Sequence, residues 1–167
     1  ARTLAEFAAL AKANAGGWSY ASAGSGTSLH VAAELLKRAA GIDLVHVPYK
    51  GSAPAIADLA AGRVQFMFDI ATSAMPLVRS GHLRALAVTG DRRLDELPDV
   101  PTVSEAGFPA ANLVTWWGLF GPAGLPAPTV ATLNAAIARA VESAEFAARL
   151  RALGGRAASA SAAEFDR

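Results

Sequence analysis

Tyr20-Ala-Ser-Ala-Gly-Ser-Gly-Thr-Ser-Leu-His30 is the stretch that narrows the fold of this chain most. It begins as a strand, turns at Gly24 and Gly26, and runs into a segment with apolar residues at helical spacing. Glycine permits the tight turn and lets another group approach the backbone closely. A helix starting there directs its unpaired N–H groups, and the positive end of its dipole, into the space before it. That is an anion site needing no cationic side chain, suited to phosphate, sulfate or carboxylate. The same residues also suit an ordinary strand-to-helix turn with Thr27 or Ser28 as N-cap.

The rest of the chain repeats this alternation. Thr3-Leu-Ala-Glu6 is a capping box that opens a first helix, ended at Asn14-Ala-Gly-Gly17. A strand is expected over Trp18 to Ala23. A helix follows over Ser28 to Ala40, with Leu29, Ala32, Ala33, Leu36 and Ala40 on one face and Gly41 as its stop. Asp43–Pro48 reads as the next strand. Ser52 then suits an N-cap, with Pro54 in the first turn of a helix over Ala53–Ala61. Val64–Asp69 is a third strand. A helix beginning at Thr72 or Ser73 runs to Arg79, and Leu83–Val88 is a fourth strand. Short links between alternating strands and helices call for a parallel sheet flanked by helices, an α/β fold.

From residue 89 to 111 the chain is charged and proline-bearing, the signature of a surface or inter-domain connection. Leu113–Phe120 reads as a strand in which Trp116 and Trp117 alternate, one packed inward. Helices are expected from about Pro128 to Glu142 and from Ala144 to Leu153. Ser161-Ala-Ala-Glu164 is a second capping box, and only one turn separates it from Arg167. The segment after Leu113 has too few strands for a sheet of its own. The expectation is therefore one nearly whole α/β domain, residues 1–112, and part of a second, residues 113–167.

Hydrophobic residues make up 53% of the chain and charged residues 17%, enough for a sizeable core. A net charge of +1 with no basic run argues against nucleic acid as a partner. No apolar run reaches the roughly 18 residues of a transmembrane helix. The succession that marks a signal peptide does not occur at Ala1, as it would not in a mature or trimmed chain either. With no cysteine, thiol chemistry and Cys-based metal sites are excluded, and both cytosol and periplasm remain open.

Enzyme motifs are missing. No Lys-Ser/Thr pair follows the glycine turn, so it is not a P-loop. Asp43 lies at the start of its strand, whereas the ribose-binding acid of a dinucleotide site belongs at the strand's end. There is no Gly-x-Ser-x-Gly elbow. His30, His46 and His82 are far apart in sequence, on three elements, and none has a partner at metal spacing. No cofactor or metal is expected. Asp69, at a strand end bordering the crevice of an open α/β sheet, suits either a ligand ammonium or hydroxyl or the capping of the next turn. Tyr49-Lys-Gly-Ser52 repeats the strand-to-helix turn. Two such turns at successive strand ends suggest a binder of small anions rather than an enzyme.

Four segments resemble a known family. Ser22–His30 with Ala33-Glu-Leu-Leu36, and Val47–Ala55 with Asp58–Gly62, are similar to the Bug receptors. These are the TctC-type extracytoplasmic solute-binding proteins of tripartite tricarboxylate transporters. Pro101–Gly107 and Trp117–Pro126 resemble the same family, in its order and spacing. The resemblance implies a periplasmic, Venus-flytrap (type II-like periplasmic-binding-protein) α/β fold. It also implies a small carboxylated solute between two domains and membrane transporter subunits as partners. By motif it points to Ser22, Gly26, Thr27, Ser28, His30, Lys50, Gly51 and Ser52 as ligand contacts, with Asp69 where specificity varies. It further implies that residues 1–112 are most of domain 2 and that residues 113–167 return to domain 1. Nothing here matches the strand and loop with which mature members begin. A fragment is therefore expected, binding ligand poorly alone and prone to self-association through its interdomain face. Two competing functions remain at this point: a ligand-sensing regulatory module, and an enzyme on an anionic substrate.

Overall fold

The computed structural model describes residues 1–152 and 154–165. Leu153, at the expected end of one helix, and Arg167 lie outside the described residues. Two compact units result, Ala1–Thr115 and a second from Trp116 onward.

The first unit begins with helix α1, Leu4–Ala13. The capping box at its start forms in a shifted way. Thr3 Oγ1 accepts the Glu6 N–H at 3.1 Å, while the Glu6 carboxylate accepts the N–H of Arg2 rather than that of Thr3. Strand β1 is Ser19–Ser22 and helix α2 is Ser28–Ala40. All five apolar positions expected on α2 are buried. Strand β2 (Val45–Pro48), helix α3 (Ser52–Ala60), strand β3 (Phe66–Met67) and helix α4 (Ala71–Arg79) follow.

The sheet is parallel, in the order β2-β1-β3. Tyr20 stands opposite His46 on one side and Phe66 on the other. Because side chains alternate along a strand, Tyr20 and Ser22 share one face and Ala21 takes the opposite one. On the Tyr20 face the core gathers Phe7 and Ala11 of α1, Leu36 and Ala40 of α2, Phe66, Val103 and Ala111. On the other face Ala21 packs with Ala55 of α3 and Val64. The sheet is therefore covered on both sides, as parallel sheets require.

Some boundaries differ from expectation. Ser52 is the first residue of α3 rather than its cap; Gly51, with φ of 107°, takes the cap position. Helix α4 starts at Ala71, just before Thr72. Leu83–Val88 is not a strand. Only Val88 pairs, with Thr102, through Val88 N–H to the Pro101 carbonyl and Val103 N–H to the Val88 carbonyl. Continuing that parallel ladder backward would require an N–H from residue 101, and proline has none.

Leu113–Phe120 is not a strand either: among the described residues no neighbour supplies ladder partners for its backbone. In the second unit neither tryptophan packs inward; Trp116 is 62% exposed and Trp117 is 69% exposed. The rings of Trp116 and Phe120 gather around Phe165 at 5.3 and 5.5 Å. Helices α5 (Ala127–Val141), α6 (Ala144–Ala152) and α7 (Ala162–Phe165) bury no residue among those described. Ser161 and Glu164 complete the second capping box: Ser161 N–H donates to the Glu164 carboxylate and Glu164 N–H to Ser161 Oγ.

Candidate functional site

The two glycine turns lie side by side beyond the carboxyl ends of β1 and β2. Tyr49 N–H donates to the Ser22 carbonyl at 3.0 Å and Gly51 N–H to the Ala23 carbonyl at 3.1 Å. These bonds extend the β1–β2 pairing past the strands. Gly24 has φ of 138°, a backbone conformation that favours glycine, and a side chain there would just touch the Tyr49 carbonyl oxygen at 3.4 Å.

The first turn is held from within. Thr27 caps α2: its Oγ1 accepts the His30 N–H at 3.4 Å and donates to the Gly24 carbonyl at 2.8 Å. Gly24 N–H donates to Ser22 Oγ at 3.2 Å, and Gly26 N–H donates to His30 Nδ1 at 3.0 Å. The N–H groups of Ser28 and Leu29, first in α2, have no acceptor among the described residues. Ser28 Oγ accepts from Thr115 Oγ1 at 3.3 Å. A side chain at Gly26 would meet nothing within 4 Å, so the turn faces open space at that point.

The second turn is anchored by Tyr49, whose hydroxyl donates to Asp58 of α3 at 2.7 Å. Bonds from Tyr49 and then Arg63 hold the Asp58 carboxyl below its ordinary range. No side chain caps α3, which leaves the Ser52 and Ala53 N–H groups without acceptors among the described residues. Ser52 Oγ instead donates to Asp69, two residues past β3, and Ser73 Oγ donates to the other oxygen of Asp69 at 2.8 Å. Asp69 thus ties the start of α3 to the first turn of α4. Lys50 is exposed and makes no hydrogen bond or ion pair among the described residues.

The structure therefore joins Ser22, Gly26, Thr27, Ser28 and His30 in one turn. Gly51 is bound to that turn through Ala23, and Ser52 is linked to Asp69. Several neighbours were not singled out from sequence. His46, far from His30 in the chain, stacks on it with ring centroids 4.1 Å apart. Tyr20 also stacks on His46 at 4.8 Å and lies 6.4 Å from His30. Ser22 Oγ lies 2.6 Å from His46 Nε2. The buried Tyr20 hydroxyl donates to Glu34 at 2.5 Å, and Lys37 donates to the same oxygen at 2.9 Å. Burial, reinforced by Glu34, raises the Tyr20 hydroxyl well above its ordinary value. Burial alone would raise Glu34, but the bonds from Tyr20 and Lys37 outweigh it and hold the carboxyl low. Only the β1–β2 register, Tyr20 opposite His46, could have indicated this cluster, and register is not written in either strand alone.

Burial pushes the His46 imidazole below its ordinary value; positive charge on His30 and Lys37 lowers it further and Glu34 opposes. An unfolded chain takes up this proton near pH 6.5, before the folded chain does. Between those two values unfolding consumes a proton, so stability is full above about pH 6.5 and declines as pH drops toward the lowered folded value. Melting temperatures measured from pH 8 to pH 5 are expected to fall below about pH 6.5, and to fall less in His46→Gln. Equal declines in both proteins would assign the acid sensitivity to other groups.

Residues 1–166 match the model of the tripartite tricarboxylate transporter family receptor, TctC. A protein of Pseudomonas sp. (strain P51), from the tcbD-tcbE intergenic region, is 44% identical over 154 residues. That match covers 92% of this chain and 46% of the relative. Among solved structures, R. palustris Rpa4515 with adipate matches with a TM-score of 0.95 at 32% identity, over 100% of this chain and 56% of that one. MatC from Rhodopseudomonas palustris, with bound malate, matches with a TM-score of 0.86 at 36% identity, over 93% of this chain and 53% of that one. The chain thus spans about half the length of these relatives.

Proposed function

Since the chain belongs to the TctC family of tripartite tricarboxylate transporter receptors, we propose that it is the ligand-binding part of an extracytoplasmic receptor for a small carboxylated solute. The observation that carries this reading is the pair of helix-starting turns joined through Gly51 N–H and the Ala23 carbonyl. Together they turn unpaired backbone donors of α2 and α3 toward the carboxyl edge of the sheet, where open α/β sheets bind ligands. Relatives with adipate and with malate support a carboxylate over other anions.

In this reading one ligand carboxylate accepts from the unpaired N–H groups of Ser28 and Leu29 in α2 and of Ser52 and Ala53 in α3, with Gly26, Thr27 and Gly51 lining its approach. Ser22 and His30 shape the first turn, and Lys50 adds positive charge at the rim. Asp69 holds Ser52 and sets what else the solute must carry, since a second carboxylate beside it is repelled and a donor is welcome. Residues 1–112 act as the second domain of the clamp and residues 113–167 as the returning part of the first. The protein works in the periplasm, hands its solute to membrane subunits of the transporter, and performs no catalysis.

Calorimetric titration of the intact protein tests this. Heat of binding is expected for at least one member of a panel of dicarboxylates, acidic amino acids and aromatic acids. None is expected for inorganic phosphate or nucleoside phosphates. Binding of the phosphates alone would overturn the proposal.

A further inference from the structure

We propose that His30 and His46 form a pair of neutral imidazole acceptors that positions the Ser22–Gly26 turn, and that a proton on the pair releases it. The two rings stack nearly parallel, 9° apart, with centroids at 4.1 Å. Each serves a different end of the turn. His30 Nδ1 accepts the Gly26 N–H directly, at 3.0 Å. His46 Nε2 lies 2.6 Å from Ser22 Oγ, which itself accepts the Gly24 N–H. With Nε2 as acceptor, the Ser22 hydroxyl donates to it, and every polar group of this fully buried serine is satisfied.

Protonation undoes both arrangements. A proton on His30 Nδ1 replaces the acceptor by a donor facing the Gly26 N–H. A proton on His46 Nε2 makes the ring a second donor to Ser22 Oγ, beside Gly24, and strands the hydroxyl proton in a buried site without an acceptor. Two imidazolium rings cannot share a stack this close without strong repulsion. The surroundings limit the charge further. Tyr20 of β1 stacks against His46 at 4.8 Å, and the Lys37 ammonium lies 5.4 Å from the Tyr20 ring centre. Glu34 is the one carboxylate of the cluster, and Tyr20 and Lys37 both bind it already. The turn Pro109–Ala111, which packs on α2, carries no titratable side chain, and Lys12 of α1 sits by Gly41 at the other end of that helix.

The hydrogen bonds involved do not depend on a ligand; the consequence for binding rests on the receptor reading above. The test is an amide and imidazole NMR titration of the intact protein between pH 8 and pH 5. The Gly26 amide proton signal is expected to move upfield with the same midpoint as the His30 ring protons, and the Gly24 signal with those of His46. His30→Asn supplies Oδ1 where Nδ1 was, and His46→Gln supplies Oε1 where Nε2 was. The double variant should hold both glycine signals in their neutral-pH positions throughout the titration. His30→Phe keeps the stack without the acceptor, so the Gly26 signal should already be upfield at neutral pH. A Gly26 signal that stays fixed while His30 titrates overturns the proposal, whether or not the variants fold. Titration with adipate supplies the second arm: its affinity should depend on pH in the natural protein and not in the double variant. If adipate does not bind, the solute is another acid of the panel above, which then replaces it in this arm, and the glycine signals still decide the role of the histidines.

Discussion

Phe7→Ala is expected to lower the unfolding free energy by about 3–5 kcal/mol, the range for emptying a large aromatic site. Phe7 is 3% exposed. Its ring stacks on Phe66 of β3 at 4.7 Å and on Trp18, just before β1, at 5.7 Å. It is the bridge by which α1 closes the Tyr20 face of the sheet. The loss is of the same order as a small domain's whole stability, about 5–15 kcal/mol. Urea unfolding followed by circular dichroism measures it. A loss below about 1 kcal/mol, the ordinary cost of an unremarkable substitution, would mean that α1 is not part of the core.

Gly26→Val is expected to weaken carboxylate binding by at least about tenfold, or about 1.4 kcal/mol. Gly26 has φ of 82°, a conformation that a β-branched residue adopts only with strain of about 1–3 kcal/mol. Its missing side chain faces open space, so valine fills the room a ligand needs while also disturbing the donors beside it. Gly62→Val is the matched control. Gly62 has φ of 74°, also faces open space, and lies at the far end of α3. Both variants should lose similar thermal stability, but only Gly26→Val should lose affinity by calorimetry. Equal affinities in the two would show that the first turn does not contact the solute.

Much of the first unit was legible in its residues. Helix α2 runs from Ser28 to Ala40 as its apolar spacing requires, capped by Thr27 and stopped by Gly41 in the left-handed conformation. The glycine turns and the parallel sense of the strands followed from local signals. The strand expected at Leu83–Val88 failed because its apolar run says nothing about what lies opposite, and Pro101 there blocks the ladder. Leu113–Phe120 failed for a related reason, since β propensity cannot supply a partner. At the candidate site, Gly26 and Thr27 stood out by type and spacing, whereas Ser22 was pointed to only by the family resemblance. His46 did not, because an isolated histidine in an apolar strand looks like any residue on a sheet face.

The sequence by itself determined the α/β class, the starts and stops of α1 and α2, the two helix-starting turns and the family. The helix ends and turns depend on residues within one or two turns of one another, where capping, periodicity and glycine's freedom act locally; the class and the family follow from the order of such segments along the chain. Only the tertiary structure decided that the two turns are bonded side by side, that Asp69 holds Ser52, and that His30, His46 and Tyr20 stack into one cluster. Those contacts join residues more than fifteen positions apart along the chain, or on different strands. They exist only once strand register is set, and register comes from burying whole faces of the sheet rather than from any one strand.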